Sequence, residues 1–324
     1  MTFDPTEILL PGPWQHRFVA ANGSRFHVAE AGEGPLLLML HGFPQFWWAW
    51  RAQIPVLAEA GYRVVAMDLR GCGGSDKPPQ GYDLHTLAAD VAGVVRAVGE
   101  SEAVIVGHDW GGYLAWAMPA LQPQVTSAIA TLSMGHPLSM RSALMRPGPP
   151  DALIALFRNR VPGLAERRLR NGGAAATISA GWGDGYAPTP LLARYQQAMS
   201  APSAVHTALE YSRNVPVLAG RRTARQPVGD TLKLLDMAIE VPVLQMVGSR
   251  DRYVSTWCLN DSRDRIRGDA VTSIVTGAGH FLPEEAPSAV NDTLLGWLPR
   301  VGGQYTAVSQ RQGRLDQDVR AHLR

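Results

Sequence analysis

One stretch of this 324-residue chain combines a nucleophile with a backbone pattern able to activate it: Val104-Ile105-Val106-Gly107-His108-Asp109-Trp110-Gly111-Gly112. An apolar run ends in Gly-x-Asp-x-Gly and passes into a helix-like segment. That is the layout of a sharp strand–turn–helix elbow, which holds its middle residue in a strained conformation. The helix that follows points its N-terminus at the same residue and favours an anion there. Two other strand-like runs end in chemically useful residues. Leu36–Leu40 leads into His41-Gly42-Phe43-Pro44, where the Phe43 N–H, together with the Trp110 N–H, would form an oxyanion hole. Val241–Val247 leads through Gly248 to Asp251, and Val271–Val275 leads to Gly277-Ala278-Gly279-His280-Phe281. The chain order is therefore nucleophile Asp109, acid Asp251, histidine His280.

These residues need a rigid frame, and the intervening pattern supplies one. Apolar runs of 4–8 residues without strict alternation suit strands buried on both faces of a parallel sheet. Helix-like stretches lie between them at Phe46–Ala60, Leu84–Val98, Gly111–Ala120 and Glu284–Leu298. Alternating strand and helix predict an α/β fold with a mostly parallel central sheet flanked by helices. A hairpin around Asn22-Gly23, from Arg17–Ala20 to Arg25–Val28, leads into it. Between about 135 and 240 no strand-like run occurs, and helical pieces near Ala152–Phe157, Leu191–Met199 and Ser203–Tyr211 predict a helical cap. The expected division is a discontinuous catalytic core of residues 1–134 and 241–300, a cap of 135–240, and a polar tail of 301–324.

Composition excludes several classes. The formal charge is +2, which gives no global pull towards nucleic acid. It is an average: residues 135–240 hold 13 Lys and Arg against 7 Asp and Glu, a local +6 that leaves −4 elsewhere. Cys72 and Cys258 cannot build a disulfide scaffold and have no metal-binding company, so reduced thiols in a cytoplasmic protein are expected, with no metal and no cofactor. The proline-broken Met1–Pro13 does not read as a signal peptide, and no apolar run approaches the ~20 residues of a membrane span. No glycine loop has nucleotide-binding spacing. A homodimer is compatible with the sequence.

With the elbow, the His-Gly-Phe-Pro loop and the Asp251–His280 pair together, the chain resembles the α/β-hydrolase superfamily over roughly residues 15–300. Within it, the aspartate at the elbow resembles epoxide hydrolases and haloalkane dehalogenases. The segment Asp68-Leu69-Arg70-Gly71-Cys72-Gly73-Gly74-Ser75-Asp76-Lys77-Pro78 is similar to a loop of that family which is generally structural. The resemblance implies a small-molecule substrate, an epoxide or an alkyl halide, that reacts with water. Fluoroacetate dehalogenases carry arginines where this chain has Trp110 and Tyr113, which argues against that branch. Haloalkane dehalogenases often place Asn where Phe43 stands, so the loop is more similar to that of epoxide hydrolases.

An ionised carboxylate attacks an sp³ carbon without first losing a proton, and the product is an ester of Asp109 itself. His280, oriented by Asp251, would then activate water against that ester. Opening an epoxide also needs a proton donor, and the family resemblance implies two cap tyrosines. The late one belongs to a Tyr-Arg-Asn-like motif, but the chain has Glu210-Tyr211-Ser212-Arg213-Asn214. Tyr211 is thus one residue, or ~100° of helix, from the expected direction. The earlier one falls in Phe157-Arg158-Asn159-Arg160, which has no tyrosine. Tyr211 is the first donor candidate; Tyr186, Tyr195 and His206 are the others. Trp47, His136 and Phe157 are candidate pocket residues. The readings in contention are an epoxide hydrolase giving a vicinal diol, a haloalkane dehalogenase using the same ester, and a non-catalytic ligand-binding protein on the same scaffold.

Overall fold

The short apolar runs become the strands of one sheet. A computed structural model describes residues 8–144, 150–214 and 228–301. Its strands are β1 (Gln15–Ala21), β2 (Ser24–Ala31), β3 (Leu36–Leu40), β4 (Arg63–Met67), β5 (Ala103–His108), β6 (Thr126–Leu132), β7 (Val243–Gly248) and β8 (Ala270–Val275). They lie in the order β1-β2-β4-β3-β5-β6-β7-β8. The β1–β2 hairpin and the β2–β4 pair are antiparallel, and every other neighbouring pair is parallel. This is the α/β-hydrolase fold the motifs predict.

Strands β3, β5 and β7 have no exposed residue. Their unbroken hydrophobicity follows from a core on each side of the sheet. Leu36, Leu38, Leu40 and Ile105 face one core, whereas Leu37, Met39, Val104 and Val106 face the other, the alternation that a strand imposes on its side chains. The first core is closed by α2 (Leu84–Ala97) and α3 (Trp110–Leu121), and the second by α1 (Ile54–Glu59) and the C-terminal helix of residues 287–301. Exposed residues concentrate on the edge strands β1 and β8.

Two predicted helices are broken, each for a local reason. Phe46–Ala60 is a 3₁₀ turn, Trp47–Trp50, followed by the short α1. The 3₁₀ geometry brings residues three apart onto one side, so Trp47 and Trp50 are both fully buried. Trp48 faces outward with the Arg51 guanidinium 3.9 Å from its ring centroid. Glu284–Leu298 is interrupted at Ala286, because Pro287 disfavours helical geometry in the residue before it.

Between β6 and β7 the described residues form helices and no strand. They are α4 (Pro137–Leu144), α5 (Pro150–Arg160), α6 (Leu164–Arg168), α7 (Ala174–Gly181), α8 (Thr189–Ala198), α9 (Ala204–Arg213) and α10 (Val228–Leu235). This insertion has a small core of its own, with Leu169, Met199, Val205 and Leu209 at its centre and Phe43 of the sheet domain packed against it. Arg221, Arg222 and Arg225, which contribute to its positive charge, and the tail beyond 301 lie outside the described residues. Among the described residues no helix is long and apolar enough to cross a membrane.

Because the parallel strands share a direction, the residues that follow β3, β5, β6, β7 and β8 emerge along one edge, where open α/β sheets place their sites. The elbow after β5 depends on close backbone contact. A Cβ on Gly111 would lie 2.1 Å from the Leu40 carbonyl oxygen, and one on Gly107 would lie 2.1 Å from that of Gly111. Gly111→Ala should therefore destabilise the fold by about 1–3 kcal/mol in urea denaturation. Gly296→Ala, in a helix with nothing near its missing Cβ, should stabilise it by about 0.5–1 kcal/mol.

Candidate active site

Asp109 occupies the turn between β5 and α3 with φ 49° and ψ −117°, a region that non-glycine residues enter only when the surroundings enforce it. The surroundings do so by hydrogen bonds. The Asp109 N–H donates to Leu132 O at 3.1 Å, the Gly111 N–H to His41 O at 3.1 Å, and the Tyr113 N–H to Asp109 O at 2.8 Å. The carboxylate is thereby turned towards the loop after β3, where the Phe43 N–H donates to its Oδ2 at 2.7 Å. Trp110 opens α3, and amides of a first helical turn have no intrahelical partner.

His280 approaches from the loop after β8. Its Nε2 lies 3.5 Å from Asp109 Oδ1, and its Nδ1 lies 3.0 and 3.2 Å from the two oxygens of Asp251. The structure brings Asp109, His280, Asp251, Phe43 and Trp110 together around one site. Asp251 is itself fixed, since its Oδ1 accepts from the N–H groups of Tyr253 at 2.8 Å and Val254 at 3.0 Å.

The charges are set by a contest between burial and partners. Burial opposes charge on His280, but the Asp251 and Asp109 carboxylates outweigh it and push its pKa up to about 10. Burial likewise disfavours the Asp109 anion, yet His280, His108 and the Phe43 N–H hold that carboxyl below its ordinary range. The resting site is an imidazolium between two carboxylates. His108, next to the nucleophile, is pushed by burial down to about 4 and stays neutral, donating Nε2–H to His280 O at 2.8 Å.

Glu285, given no chemical role by the sequence, clamps the histidine loop. Its carboxylate accepts from the N–H groups of Gly279 at 2.8 Å, Phe281 at 2.6 Å and Gly183 at 2.8 Å, the last on the insertion. The neighbouring Glu284 accepts from Tyr195 Oη at 2.8 Å and Gln45 Nε2 at 2.7 Å and pairs with Arg51.

Above Asp109 a cavity opens between sheet and insertion, a concave, mostly apolar place of the kind that small-molecule sites favour. Its wall is mainly apolar, with Phe43, Trp110, Met134, Leu156, Val254 and Phe281. The polar exceptions are Tyr113, Arg158, Asn159, Thr177, Ser212 and Tyr253.

Four sequence assignments are corrected here. Tyr211 does not reach this cavity: its hydroxyl donates to Arg70 O at 2.7 Å and its ring packs on Tyr82. Ser212, one residue round α9, faces the cavity instead. Trp47 is sealed beneath the loop after β3, its indole N–H donating to Ile8 O at 2.8 Å. His136 is buried against Trp116, accepts the Leu138 N–H at 3.3 Å and is pushed by burial down to about 3. Phe157 points to solvent at 60% exposure, because the repeat of α5 turns Ala152, Ala155, Leu156 and Asn159 inward. The other donor candidates fail too. Tyr186 is 96% exposed, Tyr195 is bonded to Glu284, and His206 is an exposed partner of Glu166 and Glu210.

The chain matches the α/β hydrolase fold family model over residues 35–287. It belongs to that family. It is 32% identical to the AB hydrolase superfamily protein YfhM of Bacillus subtilis, over 87% of this chain and 97% of that one. It is also 32% identical to epoxide hydrolase A of Mycobacterium tuberculosis, over 87% of this chain and 96% of the relative. The solved epoxide hydrolase from an endophytic Streptomyces superposes with a TM-score of 0.77 at 29% identity, covering 90% and 97% of the two chains. The protein is a hydrolase of this family.

Two outcomes follow from the electrostatics and the clamp. In Asp109→Asn the His280 imidazole, followed by NMR titration, should titrate well below its wild-type value, because one of the two carboxylates that raise it is gone. Glu285→Gln should lower unfolding free energy by about 1–3 kcal/mol in urea denaturation, since a charge-assisted acceptor shared by three amides is lost.

Proposed function

We propose that this hydrolase opens an epoxide to a vicinal diol through an ester on Asp109. The observation that carries this reading is the division of labour between the two Asp109 oxygens. Oδ2 is held by the Phe43 N–H, and Oδ1, beside His280, is left to attack. Attack by Oδ1 makes a C–O bond to a ring carbon as the ring C–O bond breaks, and Oδ2 becomes the ester carbonyl oxygen. Water then adds to that carbonyl carbon, and the developing oxyanion stays on Oδ2, where Phe43 N–H and Trp110 N–H would receive it.

The pKa pattern supports the order of steps. Esterification discharges Asp109 and removes one of the anions that keep His280 protonated. The imidazole, still oriented by Asp251, can then lose its proton and act as base on water. The relatives named as epoxide hydrolases favour the epoxide over the halide. So does Phe43, whose side chain offers a departing halide no N–H beside that of Trp110. The helices between β6 and β7 act in this reading as a cap over residues 1–134 and 241–300. The two buried free thiols, Cys72 and Cys258, fit a cytoplasmic setting.

Turnover of styrene oxide in ¹⁸O water should place label in Asp109 over repeated cycles, detected in the peptide by mass. His280→Gln should halt at the ester, giving a mass increase equal to one bound substrate with diol release reduced at least about 100-fold. Diol formation without label in Asp109 would eliminate the ester, and binding without diol would leave a receptor. Halide release without diol formation would make the protein a dehalogenase.

A further inference from the structure

An epoxide oxygen leaves as an alkoxide unless a proton reaches it, and the insertion offers no phenol where one is expected. Ser212 stands on α9, Arg158 and Asn159 on α5, and Tyr211 is committed to the Arg70 carbonyl. Among the described residues the phenols in the cavity wall are Tyr113 and Tyr253. They differ in what their hydroxyls can reach. That of Tyr113 is buried without a partner and shielded from water. That of Tyr253 makes no hydrogen bond among the described residues, and its half-buried side chain leaves it accessible.

Tyr253 is also the better placed. Its backbone N–H is held by Asp251, the carboxylate that orients His280. Its ring meets the His280 imidazole edge-on, with centroids 4.9 Å apart and planes at 78°. The other side is close to the end of α7, where a Cβ on Gly181 would come within 3.1 Å of the ring Cε2. The ring is thus fixed between the catalytic base and the insertion. Burial raises the phenol's pKa, and the Arg252 and Arg158 guanidinium groups oppose that rise. Arg158 lines the same cavity and has no carboxylate partner among the described residues.

We propose that Tyr253 is the acid of ring opening, supplied by the loop of the catalytic Asp251 in place of a cap tyrosine. As Asp109 Oδ1 bonds to carbon, the ring C–O bond breaks and the Tyr253 O–H proton passes to the departing oxygen. This leaves a phenolate beside Arg158. In the second half, the imidazolium first returns a proton to the phenolate through solvent, and the neutral His280 then takes one from the attacking water as the diol leaves. Phenol, imidazolium and Asp109 carboxylate are thereby restored, so the sum is addition of one water. The proposal rests on the Asp109-ester reading above.

The test compares propylene oxide with 1,1,1-trifluoro-2,3-epoxypropane, whose alkoxide is stabilised by fluorine and needs less help from an acid. Single-turnover quenched flow, with the ester measured by mass, separates its formation from its hydrolysis. Tyr253→Phe should slow ester formation from propylene oxide about 100-fold. It should slow that from the fluorinated epoxide several times less, and leave hydrolysis of the formed ester within about twofold. Arg158→Gln should slow ester formation in the same substrate-dependent sense by a smaller factor. Equal losses on both substrates, or an equal loss in the hydrolysis step, would mean that Tyr253 only supports His280 and would overturn the proposal. So would unchanged ester formation, or the substrate-dependent loss appearing in Tyr113→Phe instead. Absence of any Asp109 ester in the wild type with either epoxide would sink the ester reading itself, and this proposal with it.

Discussion

A carboxylate presented on a left-handed turn between a buried strand and a buried helix is the constraint on which the rest of the structure depends. The turn at Asp109 leaves no room for side chains at Gly107 and Gly111, where backbone from the same elbow and from β3 lies in contact. It also recruits neighbouring strand ends: β6 accepts the Asp109 N–H through Leu132, and the residue after β3 accepts the Gly111 N–H through His41. The elbow is therefore a knot of backbone bonds among three strands and a helix. Strain of this kind persists only because the surrounding sheet over-determines it.

Electrostatics completes what the backbone begins. Asp109 and His280 lie buried beside Asp251, and burial opposes the charge of each of the two. Together they hold one another ionised, and the proposed covalent step would change their balance. In that step an anion becomes a neutral ester, and the imidazole that was kept protonated is released to act as a base. Other buried charges have no access to the cavity and serve architecture. Asp68 accepts from the Trp47 and Gly74 N–H groups and from His27, and Arg70 grips Asp90 with two bonds of 2.6 Å. The similarity of these two kinds of buried carboxylate shows why burial alone does not identify a site; the open cavity beside Asp109 does.

The core was legible because its signals are local. Each strand of the sheet is a short apolar run closed by a turn, and the elbow glycines, the His-Gly-Phe-Pro loop and the Asp251–His280 spacing are all contiguous motifs. The insertion was less legible. Its helices announce themselves by composition, but which face of each meets the cavity depends on rotations that a sequence specifies weakly. Phe157 and Tyr211 illustrate this: each is one residue away from side chains that do line the wall. The tryptophans after Phe46 were ambiguous for a related reason, because a 3₁₀ turn rather than an α-helix sets which of them are buried.

By itself the sequence indicated a candidate nucleophile and the chain order of its acid and histidine partners, since a carboxylate in an elbow motif carries its chemistry in its residue type. It also determined the alternation of strand and helix that delivers those residues to one sheet edge. Only the tertiary structure decided the protonation of His280, the clamp made by Glu285, and which hydroxyls face the cavity. Those depend on distances between segments far apart in the chain: Glu285 reaches Gly183, and Tyr253 meets α7. Residue type sets what a group can do, whereas packing sets what it is beside, and proton transfer requires both.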